Sequence, residues 1–397
     1  MNIFPDKLAI ENVKIYGESS IFDSGFIKID KGMIREIGSM DELTSMDGYY
    51  KLPVPNGMCI VPGMIDLHIH GVNSADAMDS TFESLDRMTM ALPKEGTTSF
   101  LATTMTERIP IIEQALGNIG DYINQGQRVG RAELIGVHLE GPFINKEKAG
   151  AQPIEYILMP DVNLFKRWLE YSKNTIKVVT LAPEVDKDFQ LVHYLSKNGI
   201  VASAGHSNVS FERAYEAIDE GINHITHLFN QMSGFHHRDP GLVGAAFTRK
   251  EVMVELIADG IHVRPEVVDI AFRQVTEERM ILITDSMRAK GMKNGDYDLG
   301  GQQITVKDGK ALLDENTLAG SVLKMIDAFK NIQRFAQCDI VQAIKMTSEN
   351  PAKQLNLFHR KGSVAPGKDA DLVLLDQELN VYMTICRGKV AFNRSDE

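Results

Sequence analysis

Between residues 61 and 284 the chain repeats one pattern: a short apolar run, then a longer stretch able to hold a helix. The apolar runs are VPGMIDL (61–67), TTSFLAT (97–103), ELIGVHL (133–139), KVVTLA (177–182), IVASAG (200–205), NHITH (223–227), MVELIA (253–258) and MILIT (280–284). They are of strand length, without the polar alternation of a half-exposed strand, as buried parallel strands are. One intervening stretch, Ser207 to Gly221, is a clear helix. It has start signals at Asn208 and Ser210, apolar Phe211, Ala214, Tyr215 and Ile218 at helical spacing, and a glycine stop. Eight such strands alternating with helices predict a (β/α)8 barrel. The two chain ends differ from this and resemble each other. LAIENVKIYG and GFIKIDKGMIREIG near the start, and DADLVLLD and VYMTICRGKVAF near the end, are strand runs with tight turns. Asp30-Lys31-Gly32 and Cys386-Arg387-Gly388-Lys389 read as hairpin turns. The ends are expected to pair as a small β-sandwich domain, residues 1–57 with 358–397, around a barrel of residues 58–357.

The polar exceptions within these runs fall in a consistent place. In a (β/α)8 barrel, chemistry sits at the C-terminal ends of the strands. The first run leads to Asp66-Leu67-His68-Ile69-His70, and residues two apart on a strand face the same way, so His68 and His70 can ligate one ion. The third ends in His138-Leu139-Glu140, the fifth in Gly205-His206, the sixth in Thr226-His227 and the eighth in Thr284-Asp285. A lone histidine on an apolar strand is more often a core residue than a ligand. Several ionisable groups at matching strand ends are hard to explain as packing, because burying them is costly unless they are paired or metal-bound. His224 has the opposite strand parity to His227, and His236 and His237 lie in a loop, so these three are read as structural. Imidazole and carboxylate donors suit zinc, iron, manganese, cobalt or nickel and do not choose among them. Asp285 can take a proton from metal-activated water and return it to a leaving nitrogen.

Composition narrows the partners. The 397 residues are 43% hydrophobic and 24% charged, which excludes a disordered chain. A net charge of −12 argues against nucleic acid or an anionic membrane, so an anionic ligand requires a local basic site. The three cysteines, Cys59, Cys338 and Cys386, form no CxxC pair; with no signal-peptide pattern and no apolar run of about 18 residues, the expected location is the cytoplasm.

These motifs resemble the amidohydrolase superfamily, and most closely its N-acetylglucosamine-6-phosphate deacetylase branch. The likeness is carried by VPGMIDLHIHG, GTTSFLATTMT, GVHLEGPFINKEKAGAQ, SAGHS, THLFNQM, RDPGLVGA, ADGIHV, LITDSMRAKG, TLAGS and PGKDADLVLLD. HLEGPF and THLFN belong to the deacetylase branch. Many superfamily members use a modified lysine on the fourth strand, but the only lysine here, Lys177, lies at the strand start. The resemblance implies metal-dependent removal of the acetyl group from N-acetylglucosamine 6-phosphate. It implies Glu140, His206 and His227 as metal ligands and Asp285 as general base and acid. Asn230 and Gln231 would meet the sugar, Arg238 and His262 the phosphate, Ala151 and Gln152 the acetyl group, and Leu318, Ala319 and Gly320 the pocket wall. It further implies a homodimer with Arg238 near the interface, reaching the neighbouring subunit. Some members carry histidine in place of Gln152 and lack the His68/His70 pair. Here a second ion on His68, His70 and bridging Glu140 is expected to polarise the acetyl carbonyl instead. Three alternatives stand beside this reading: the C4-epimeric N-acetylgalactosamine 6-phosphate as substrate, a cyclic-amide or nucleobase hydrolase, and a silent sugar-phosphate sensor.

Overall fold

The computed structural model describes residues 4–315 and 317–396. All eight expected barrel strands are present and parallel: Met64–Ile69, Thr97–Thr103, Glu133–Glu140, Ile176–Leu181, Val201–Ala204, His224–Ile225, Met253–Ile257 and Met280–Ile283, paired in that order. They are called the first to eighth barrel strands below. The first and eighth meet at their C-terminal ends, where Asp285 N donates to His68 O (2.8 Å) and His70 N to Ser286 O (2.9 Å). Beneath them, Thr284 Oγ1 donates to the buried Asp66 carboxylate at 2.5 Å. The strands are buried on both faces, which is why their sequences run apolar without alternation. Helices cover the outside. The helix expected after the fifth strand spans Phe211–Asp219, and the Ser210 side chain caps it by accepting from Arg213 N.

The chain termini form a second sheet of eight strands. Ile21–Asp30 pairs antiparallel with Met33–Ser39, and Val381–Cys386 with Lys389–Asn393. Each tight turn holds two residues with positive φ: Lys31 (51°) and Gly32 (80°), Arg387 (47°) and Gly388 (76°). This is the primed geometry that matches strand twist. The sheet curls so that Ile34 N reaches Lys368 O at 2.9 Å. It thereby encloses its own core of Leu8, Ile10, Ile15, Ile27, Ile60, Leu372, Leu374 and Ile385.

Two features depart from the sequence reading. The run 61–67 is split: Cys59–Pro62 belongs to the terminal sheet, paired with Leu372–Leu375, and the barrel begins at Met64. Gly63 stands at the break, where only glycine fits, because a Cβ there would stand 2.1 Å from Thr98 Oγ1. After the eighth barrel strand comes an unexpected three-stranded antiparallel sheet, Gly295–Leu299, Gln302–Lys307 and Lys310–Leu312. It packs Leu299, Ile304, Val306 and Ala311 on Met105, Met287 and Ala319 beside the barrel mouth. Among the described residues, no helix is long and apolar enough to cross a membrane.

Candidate active site

The backbone at the barrel mouth turns sharply where the side chains of interest begin. His206, His227 and Asp285 each follow the end of a strand and have φ of 47°, 29° and 47°. Non-glycine residues take such values at a cost, and they concentrate where a side chain must be aimed. Here the turn ends strand pairing and sends each side chain over the mouth.

Six side chains converge there in two groups. Glu140 Oε1 lies 3.2 Å from His206 Nε2 and 3.2 Å from His227 Nε2, and the two histidine nitrogens are 3.2 Å apart. Asp285 Oδ1 lies 3.5 Å from His68 Nε2 and 3.3 Å from His70 Nε2. Glu140 joins the groups, since its oxygens also stand 3.4 Å from His68 Nε2 and 3.3 Å from His70 Nε2. Ligand atoms held about 2.1 Å from a tetrahedral ion stand about 3.4 Å apart. The spacing therefore fits a divalent ion in each group. His68 Nε2 is fully buried and has no hydrogen-bond partner, which also fits a ligand nitrogen.

The electrostatics fit a cation equally well. Burial opposes the Glu140 charge, yet His68, His206 and His227 hold its carboxyl well below the usual range. Burial also opposes the Asp285 charge, and His68 and His70 keep that carboxyl low. Conversely, burial works against protonating His70, but Asp285 and Glu140 raise it to about 9. The site is thus a pair of ionised carboxylates in a buried setting that demands positive charge, the role of a divalent metal.

Around this centre the supporting bonds are specific. His206 Nδ1 meets Lys148 O at 2.8 Å. Gln152 donates its amide to Glu140 Oε2 (2.8 Å) and accepts from Thr106 N (2.7 Å). His138, not a member of either group, bonds Thr180 Oγ1 at 2.7 Å, and burial lowers it to about 3, so it stays neutral. His224 lies off the mouth, as its parity predicts, and bonds the buried Glu255 at 3.1 Å.

A cavity of about 320 Å³ opens over these groups, lined by His70, Glu140, Gln152, His206, His227 and Asp285, with Ala151, Asn230, Gln231, His262, Leu318 and Gly320. A volume of this size suits one sugar unit. His262 is held by Asp259, with Nδ1 2.6 Å from Oδ2. Burial opposes its protonation, but the hydrogen bond and charge of Asp259 outweigh it and raise the imidazole above its ordinary value. Ala319 does not reach the cavity and is fully buried beneath it. Arg238 is exposed on the loop with Phe235, His236 and His237, and its guanidinium meets His237 Nε2 at 2.9 Å. Within one chain it stands outside the cavity. Met105, Phe229, Leu299 and Thr317 also line the cavity and escaped the sequence reading. They are apolar or hydroxyl residues, Leu299 at a strand end and the others on loops, with no chemical signature of their own. Glu255 escaped it too, although a lone carboxylate inside MVELIA was a visible signal.

The amidohydrolase family matches residues 59–391. An N-acetylglucosamine-6-phosphate deacetylase of Bacillus subtilis (strain 168) is 45% identical, over 98% of this chain and 98% of that protein. An N-acetylgalactosamine-6-phosphate deacetylase of Escherichia coli O157:H7 is 35% identical, over 84% of this chain and 87% of that protein. Among solved structures, a mutant N-acetyl-D-glucosamine-6-phosphate deacetylase of Mycobacterium smegmatis, in complex with N-acetyl-D-glucosamine-6-phosphate, superposes with a TM-score of 0.90. It is 27% identical, and the match covers 98% of this chain and all of that one. With the divalent-metal geometry of its barrel mouth, this chain belongs to the amidohydrolase family, and within it to the N-acetylglucosamine-6-phosphate deacetylase branch.

Proposed function

We propose that the chain hydrolyses the acetamide of N-acetyl-D-glucosamine 6-phosphate, giving D-glucosamine 6-phosphate and acetate in amino-sugar breakdown or recycling. The observation that carries this reading is a single cavity containing the Glu140–His206–His227 group, Asp285 and His262. Glu140, His206 and His227 would hold the catalytic ion, and His68, His70 and Asp285, with Glu140 between, a second. Bound there, a divalent cation supplies Lewis acidity, which activates water and polarises the acetyl carbonyl.

The chain's own residues do the rest. Asp285, held ionised by His68 and His70, takes a proton from the attacking water as it adds to the acetyl carbon. It then gives that proton to the sugar nitrogen as the C–N bond breaks. Gln152 lines the cavity beside the acetyl group and steadies Glu140, donating one amide N–H to it while accepting from Thr106 N. Asn230, Gln231, Ala151, Leu318 and Gly320 line the cavity that would take the sugar and its acetyl group. His262, whose protonation Asp259 favours, suits a phosphate dianion. Arg238, outside its own cavity, suits the phosphate in a second copy's cavity, which makes the working unit a homodimer. The three cysteines are all free thiols, in keeping with a reducing cytoplasm.

The test compares acetate release from N-acetylglucosamine 6-phosphate, its galactosamine epimer and unphosphorylated N-acetylglucosamine, before and after chelation. Release from the phosphorylated glucosamine derivative is expected, lost with chelator and restored by a divalent cation. Equal release from the unphosphorylated sugar would remove His262 and Arg238 from phosphate binding. Preference for the epimer would transfer the activity to galactosamine.

A further inference from the structure

Glu255 sits on the seventh barrel strand, fully buried, and touches no substrate cavity. An isolated carboxylate in a barrel core is costly, so its partners explain its presence. Its Oε2 lies 3.1 Å from His68 Nδ1 and accepts from His227 N at 3.2 Å. Its Oε1 lies 3.1 Å from His224 Nε2. One carboxylate therefore braces a histidine from each half of the site, one through its ring and the other through its backbone.

The chemistry of the first contact is directional. A carboxylate only accepts, so His68 Nδ1 must carry the proton, and the lone pair of the neutral ring is left on Nε2. That nitrogen points to Glu140 and Asp285, at 3.4 and 3.5 Å. Elsewhere the backing differs: His206 Nδ1 meets a backbone carbonyl, while His70 Nδ1 and His227 Nδ1 are buried without partners. Among the described residues, His68 is the metal-facing histidine with a carboxylate behind it. Such a partner fixes the tautomer and raises the basicity of the ligand nitrogen.

We infer that Glu255 is the positioning residue of the second ion: it locks His68 in the Nδ1-protonated form and thereby sets the affinity of the His68–His70–Asp285 group. This rests on the reading of that group as an ion site, and the two can be tested apart. Metal content of the wild-type protein tests the ion site; two equivalents are expected, falling to one in His68→Asn/His70→Asn. The tautomer tests Glu255 independently of any variant. In metal-free protein with nitrogen-15-labelled histidine, where no ion dictates the tautomer, long-range proton–nitrogen spectra should show a proton on His68 Nδ1, and a bare Nδ1 with the proton on Nε2 overturns the inference.

Chelator competition then reads the consequence. Glu255→Gln, with one acceptor oxygen and no charge, should weaken the second equivalent by about 10- to 100-fold. The first equivalent, on Glu140, His206 and His227, should stay stoichiometric. Both ions bound at wild-type affinity would overturn the inference. A thermal melt of the metal-free variant guards against simple misfolding, and where it melts early the wild-type tautomer decides the matter alone.

Discussion

At the residue scale, the site works by aiming side chains with local backbone cost. His206, His227 and Asp285 all leave their strands through left-handed φ values, each a conformation that the surrounding barrel must enforce. The identities of these residues were legible in the sequence because ionisable groups are conspicuous at the ends of apolar runs. Their backbone turns were not legible, because histidine and aspartate, although enriched among non-glycine residues at positive φ, adopt it at only a small minority of positions. Glu255 and Gln152 show the second limit. Sequence names a glutamate or an amide, but only packing reveals that each braces another side chain of the site. Asp285 gives the sharpest test at this scale. Asp285→Asn keeps size but cannot shuttle a proton, so kcat should fall by about 100- to 10,000-fold. Metal analysis should still find the ion on Glu140, His206 and His227. Turnover near the wild-type value would remove Asp285 from proton transfer.

At the element scale, the barrel strands were readable because burial on both faces forces unbroken apolar runs. The errors lie where that rule does not apply. The sheet of residues 295–312 is largely exposed on its outer positions, and its alternation in QQITVK is brief. Its turns nevertheless carried signals in Gly300-Gly301 and Asp308-Gly309, all of positive φ. The hairpins of the terminal sheet were found from such signals, and the structure adds a reason beyond the turns themselves. The two turns pack against each other, so a Cβ on Gly388 would stand 2.5 Å from the Gly32 Cα. Backbone on that side cannot swing away as a flexible side chain would. Gly388→Ala should thus lose both the φ freedom and the contact, at a cost of about 1–3 kcal/mol in chemical denaturation. Acetate release at 25 °C should be unaffected, as the turn is remote from the cavity. A stability within about 0.5 kcal/mol of wild type would show that the turns can separate without penalty.

At the scale of the whole molecule, the barrel and the terminal sheet are tied beneath the third strand by charge. Lys361 is buried, with Glu133 Oε2 at 2.8 Å, Asp369 Oδ2 at 3.1 Å and a close contact to Asp371. Arg360 shares Glu133 at 2.8 Å, and the Asp371 carbonyl accepts from Gly63 N at the junction of the two sheets. Burial raises the Glu133 carboxyl, but Lys361 and Arg360 outweigh it and bring it to about 2. A carboxyl depressed on folding contributes stability that is complete above its unfolded value, near pH 4.5, and is lost as pH falls toward 2. Replacing Lys361 by Met keeps the length and removes the cation, leaving three carboxylates facing Arg360. At pH 7 the variant should lose about 3–5 kcal/mol. Without Lys361 the Glu133 carboxyl is less depressed, so acid has less left to take away from the variant. The gap between wild type and Lys361→Met should therefore narrow as the pH of urea denaturation is lowered from 7 to about 3. A gap of constant size across that range would mean that Lys361 acts by packing its alkyl chain, and that charge does not hold the two sheets together.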